Sequence, residues 1–69
     1  MKITNSASFG QAIRDRRKEL GYTQLYFSKI TGLSVSFLSD LERGKRTAEL
    51  DKALCVANML SMNIYLEPR

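Results

Sequence analysis

Three glycines, each followed closely by a hydroxyl residue, partition this chain. Gly21 precedes Thr23, Gly32 precedes Ser34, and Gly44 precedes Thr47. A Ser or Thr oxygen can accept from the orphan amides of a helix's first turn. A glycine just past the last apolar residue suits the left-handed residue that closes a helix. Alternating stops and starts therefore predict a series of short helices rather than a sheet or one long helix. Apolar spacing fills in the segments. Phe9, Ala12, Ile13, Arg16 with Arg17, and Leu20 recur at three and four, which predicts a first helix over residues 6–20. Asn5, Ser6 and Ser8 are its candidate N-caps, and Ser8 with Gln11 would form a capping box. Thr23 opens a second helix over 24–31, carrying Leu25, Phe27 or Ser28, and Ile30. Ser34 opens a third over 35–42, with Phe37, Leu38 and Leu41 as its apolar stripe. Thr47 is the expected cap of a fourth over 48–60, with Glu49 and Asp51 near the positive end of its dipole. Leu50, Ala53, Leu54, Ala57 and Leu60 form its expected core face. Cys55, Val56 and Met59 lie outside that stripe and make a second apolar face suited to a dimer contact.

The tail changes period. Met62, Ile64 and Leu66 alternate with Asn63, Tyr65 and Glu67 before Pro68, the pattern of a half-buried strand. One strand cannot satisfy its own backbone amides and carbonyls, and no other segment reads as a strand. Its expected partner is the same strand of a second copy across a two-fold axis; the alternative is a disordered or packed-down tail. The expected fold is all-α, four to five helices with a short C-terminal β-strand pairing across a dimer. It forms one domain spanning residues 1–69, with 61–67 as the dimerising tail. Size points the same way, because a 69-residue domain buries only ~60% of its unfolded surface and is marginal alone. The single Cys55 and the absence of His leave no internal disulfide and no zinc site to compensate.

Charge is uneven. The net is +4 overall, but residues 1–46 hold nine basic and four acidic side chains, while 47–69 hold two and three. The excess sits in Arg14-Asp15-Arg16-Arg17-Lys18, at Lys29, and in Arg43-Gly44-Lys45-Arg46. A basic balance of this kind favours a polyanion such as nucleic acid. Without His or a Cys/His pair, general acid-base and nucleophilic chemistry lack their usual groups. The glycine spacing fits neither a phosphate loop nor a dinucleotide fingerprint. No enzyme activity, cofactor, metal or small-molecule substrate is expected. No segment reaches the ~18 apolar residues of a membrane span, and Met1-Lys2-Ile3-Thr4-Asn5 is no signal peptide. A reduced, cytoplasmic and nucleoid-associated setting is expected.

Two short helices linked around Gly32 have the geometry of a helix-turn-helix, whose second helix enters the DNA major groove. From Gln24 to Arg43 runs a stretch of twenty residues with Gly32 ninth, Leu33 tenth, Leu38 fifteenth and Leu41 eighteenth, where the two helices must pack. Gly32 is required there because the chain reverses with φ > 0. Over residues 9–60 the sequence resembles the Cro/C1-type (XRE) helix-turn-helix family and its lambda-repressor-like fold. The resemblance is most specific in Ile13-Arg14-Asp15-Arg16-Arg17, in Leu20-Gly21-Tyr22-Thr23-Gln24 and from Phe37 to Arg46. The string from Leu60 to Leu66 is similar to HipB-type antitoxins. That likeness implies a homodimer sealed by a two-stranded C-terminal sheet, which represses its own operon and binds a HipA-type kinase toxin. The alternative is a stand-alone phage-type repressor with no toxin partner; many of those carry a longer dimerisation domain than this tail.

The resemblance also implies roles. Gln24 would contact a phosphate of double-stranded operator DNA. Val35, Ser36 and Asp40 would read bases, on an outer face shared with Ser34 and Ser39. Val can meet a thymine methyl, and Asp can accept from a cytosine amine or repel phosphate. With no Arg or Asn on that face, shape readout would carry part of the specificity. Arg43, Lys45 and Arg46 would meet phosphates; Lys29 is as well explained by solvent. Arg17 and Glu42 would form a structural ion pair, while Arg14, Arg16 and Lys18 are expected in solvent, with phosphate contact open to any one of them. Met59, Met62, Ile64 and Leu66 are the expected dimerisation residues. Two departures from the family matter. Ser28 stands in place of Ala and needs a partner for its hydroxyl. Tyr26 stands in place of Glu and costs the second helix a reciprocal capping bond.

Overall fold

Side-chain caps set the starts of three of the four helices. The structure, a computed structural model, describes residues 2–69. Residue 1, the first of the expected domain span and of the N-terminal string, lies outside the described residues. The elements are α1 (Ser6–Glu19), α2 (Gln24–Thr31), α3 (Val35–Glu42) and α4 (Leu50–Met59). Thr23 Oγ1 accepts from the Tyr26 amide and Ser34 Oγ from the Phe37 amide, each at 3.0 Å. Gly32, at φ 77°, closes α2 and donates its amide to the Ser28 carbonyl. The Ser28 hydroxyl finds its partner inside the same turn, donating to the Leu33 carbonyl.

At α1 the capping box is Asn5 with Ser8, not Ser8 with Gln11. Asn5 Oδ1 accepts from the Ser8 amide at 2.8 Å and Ser8 Oγ accepts from the Asn5 amide at 3.1 Å. A cap residue must be extended, and Asn5 is (φ −161°, ψ 178°), whereas Ser8 is already helical. Gln11 instead donates to Asp15 along the helix surface. At α4 the expected cap also fails. Thr47 lies in a turn outside the helix, and the cap position falls to Glu49, which makes no side-chain cap bond.

The core is a cluster of Ile13, Phe27, Leu38, Leu41, Ala53, Val56, Ala57 and Leu60, with Phe9, Leu20, Phe37 and Met62 packed at its edge. This corrects the reading of α4. Val56 is fully buried, while Leu50 is 69% exposed and Leu54 41%. The helix is apolar almost all round, so periodicity cannot choose its face. The buried side carries Ala53, Val56 and Ala57. A close backbone approach joins α1 to the end of α3. A Cβ on Gly10 would lie 2.2 Å from the Leu41 carbonyl oxygen, so only glycine fits there.

Beyond α4, Ser61 is left-handed (φ 58°), and the Met62 amide donates back to the Ala57 carbonyl at 3.0 Å. There is no strand among the described residues, and 63–69 make no regular structure. The expected strand has no ladder partner within one chain. Arg16, expected in solvent, is half-buried and donates from Nε to the Leu60 carbonyl at 2.9 Å. It satisfies a carbonyl that the end of α4 leaves without an intrahelical partner. No described helix is long and apolar enough to cross a membrane.

Candidate nucleic-acid interface

The turn around Gly32 leaves α3 with one face in the core, through Leu38 and Leu41, and the opposite face outward. Val35, Ser34 and Ser36 are exposed at its start; Ser39 and Asp40 are half-buried further along. Ser34 uses an oxygen lone pair as the cap of α3, which leaves its hydroxyl proton free to donate. Lys29, exposed in the last turn of α2, stands at the opposite end of that helix from Gln24.

Behind α3, a buried network fixes its C-terminal turn to α1 and α2. Arg17 Nε and one terminal nitrogen donate to the two Glu42 carboxylate oxygens at 2.7 and 2.9 Å. The other terminal nitrogen donates to the Tyr22 carbonyl at 2.7 Å. The two side chains are only 8% and 3% exposed, and the hydrogen bond that Arg17 donates to Glu42 holds its guanidinium more firmly protonated than usual. Gln24 joins this network, its side-chain amide donating to Glu42 at 3.1 Å. One of its two amide protons is thus engaged inside the protein and one remains for a ligand.

Arg14, Arg17, Gln24, Ser39, Glu42 and Arg43 line an open cleft of about 320 Å³. Arg14 is one of three basic residues that reading the sequence placed in solvent, with phosphate contact open to any one of them. The signal that finds it is helical spacing, since Arg14 is three residues before Arg17 and so on the same side of α1. Beside the cleft, Asp40 accepts from Arg43 at 2.8 Å and lies 3.5 Å from the Lys45 ammonium. The Arg43 hydrogen bond, with Lys45 assisting, holds the Asp40 carboxyl below the usual carboxylate range. Arg46 is exposed and has no carboxylate partner among the described residues. No three His, Cys, Asp or Glu side chains group as a metal site among those residues. A different surface holds Met59 and Ile64, both roughly half exposed, Leu66, almost wholly exposed, and Met62, which lines a shallow depression with Ala12, Arg16 and Glu19 of α1.

The Helix-turn-helix family matches residues 13–62, from the middle of α1 to the turn after α4. The chain belongs to the Cro/C1-type helix-turn-helix family. Within that family it is 35% identical to the HTH-type transcriptional regulator y4mF of Sinorhizobium fredii (strain NBRC 101917 / NGR234), over 91% of this chain and 83% of that one. It is 53% identical over 38 residues to YazB, an HTH-type transcriptional regulator of Bacillus subtilis (strain 168). That match spans 55% of each protein, so the chain covers about half the length of the Bacillus relative. Two solved structures share the fold, a HipB–O4 20mer complex and a HipB complex with an O2 20mer. Each superposes with a TM-score of 0.88 at 20% identity over 99% of this chain, and over 96% and 94% of theirs. As a member of the Cro/C1-type family the chain is a DNA-binding transcription regulator.

Proposed function

We propose that this regulator is a sequence-specific repressor acting as a homodimer. In the same reading it is the HipB-like antitoxin of a toxin–antitoxin operon, which it represses, and it binds a HipA-type kinase toxin. The carrying observation is one juxtaposition. The outward face of α3 stands beside Arg43, Lys45 and Arg46, in a fold that superposes on HipB complexes with 20mers. In this reading α3 enters the major groove of operator DNA. Val35, Ser36 and Asp40 face base edges with Ser34 and Ser39 beside them, and Gln24, Arg14, Arg43, Lys45 and Arg46 seat the backbone. Residues 61–67 pair with the same segment of a second copy, and Met59, Met62, Ile64 and Leu66 close the apolar contact. The exposure of Met59, Ile64 and Leu66 in the single chain supports this. Two copies then read half-sites about one helical turn apart. The protein works in the cytoplasm, on the nucleoid.

Selection from a randomised duplex pool, followed by gel shift at several salt concentrations, tests the reading. The chain enriches one two-fold symmetric site. Arg46→Ala weakens binding to every duplex and lowers the salt slope by about 0.9, one phosphate contact's share. Failure to enrich any site overturns the repressor reading. Co-purification with the product of the neighbouring reading frame tests the antitoxin part. A chain that enriches a site yet retains no kinase partner is instead a stand-alone repressor.

A further inference from the structure

Asp40 is at once on the face assigned to base reading and bound to the cations assigned to phosphate. One carboxylate oxygen accepts from Arg43 at 2.8 Å, and the other lies 3.5 Å from the Lys45 ammonium. Both cations are largely exposed, at 73% and 54% of their side-chain surface. Solvent screens such pairs, so each is weak enough to exchange. In the unbound chain two of the three cations of the loop after α3 therefore share an internal counter-anion, and only Arg46 has none among the described residues.

We infer that Asp40 competes with DNA phosphates for Arg43 and Lys45, and releases them only to a duplex that offers its carboxylate a base-edge donor in exchange. This rests on the DNA reading proposed above and deepens it, since it assigns the means by which non-specific binding is suppressed. On an arbitrary duplex the two outcomes are both unfavourable. Either the cations stay with Asp40 and the phosphates lose two partners, or the cations move to phosphate and leave a carboxylate facing a polyanion. A cytosine amine in the major groove resolves this, because it donates to the displaced carboxylate. Base identity at one position is thereby coupled to two backbone contacts. The coupling raises discrimination by lowering affinity for wrong sites.

The test compares wild type with Asp40→Asn on two duplexes, the site that wild type enriches from a random pool and a scrambled duplex of the same length. Asn keeps the size of the side chain and removes its charge. Asp40→Asn should bind the scrambled duplex several-fold more tightly than wild type, with a salt slope steeper by up to about 1.8, about 0.9 for each of the two cations released. Its ratio of specific to scrambled affinity should fall. The gain should vanish when Arg43 and Lys45 are also replaced by Gln, which separates release of these two cations from a general change in charge. Unchanged scrambled affinity and slope in Asp40→Asn overturn the inference, as does a gain that persists without Arg43 and Lys45. If wild type enriches no site at all, the underlying DNA reading has failed instead. Thermal melts matching wild type confirm that the variants fold.

Discussion

Arg17, Glu42 and Gly10 are the positions where a single atom matters most. The Arg17–Glu42 pair is nearly sealed from solvent, and both oxygens of the carboxylate are occupied. A buried pair broken from one side leaves an uncompensated charge, which costs far more than the pair itself contributes. Glu42→Gln should therefore lower stability by about 3 kcal/mol, measured as a shift in urea midpoint at constant slope. A loss below about 1 kcal/mol would mean that water reaches Arg17. Gly10 tests the opposite error, overfilling. In a helix interior Gly→Ala ordinarily gains about 0.5–1 kcal/mol. Here the added Cβ meets the Leu41 carbonyl oxygen at 2.2 Å and the Glu42 carbonyl oxygen at 2.8 Å. Backbone cannot rotate away as a side chain can, so the clash should win. Gly10→Ala should destabilise by about 1–3 kcal/mol, and a rise in melting temperature would show that α1 slides freely over α3.

Among the elements, α4 is the least well started. Glu49 occupies its cap position with an extended backbone but without a side-chain cap bond, and it pairs with Lys52 at 3.3 Å. Shortening the side chain brings a carboxylate within reach of the first-turn amides while keeping its charge. Glu49→Asp should stabilise the fold by about 0.5–1 kcal/mol, raising the melting midpoint by a few degrees. No change would mean that the loop before α4 holds the cap away from its amides. The same element shows where sequence reading stops. The bounds of α2 and α3 are legible because Thr23, Gly32 and Ser34 act on their own neighbours. The face of α4 is not, because Leu50 and Leu54 compete with Val56 on a helix apolar nearly all round. For the site, α3 and the basic loop are legible from spacing and charge. The engagements of Gln24 and Arg16 are not, because their partners are 18 and 44 residues away. Asp40 was legible as a group on the reading face, but its pairing with Arg43 and Lys45 depends on how the loop folds back. A ladder for the tail requires a second chain, which no periodicity within one chain describes.

For the whole molecule, the proposal of a dimer predicts that stability depends on concentration. Folding coupled to association gains from mass action, so the melting temperature of the full chain should rise with protein concentration. A chain ending at Ser61 should show no such rise and should scatter light as a monomer. If it remains dimeric, the tail is not the seal. The start of that tail is firmly placed. Arg16 holds the Leu60 carbonyl, Met62 donates back to Ala57, and its side chain packs at the edge of the core. Since α1 is also locked to α3 through Gly10 and Arg17, the direction in which the tail leaves is set relative to the reading helix. In the proposed dimer this makes the protein a ruler with little slack. One base pair added between half-sites rotates the second by about 35° around the duplex. A molecule without a joint between its seal and its reading head cannot follow that turn, so spacing, as much as sequence, should decide which sites it occupies.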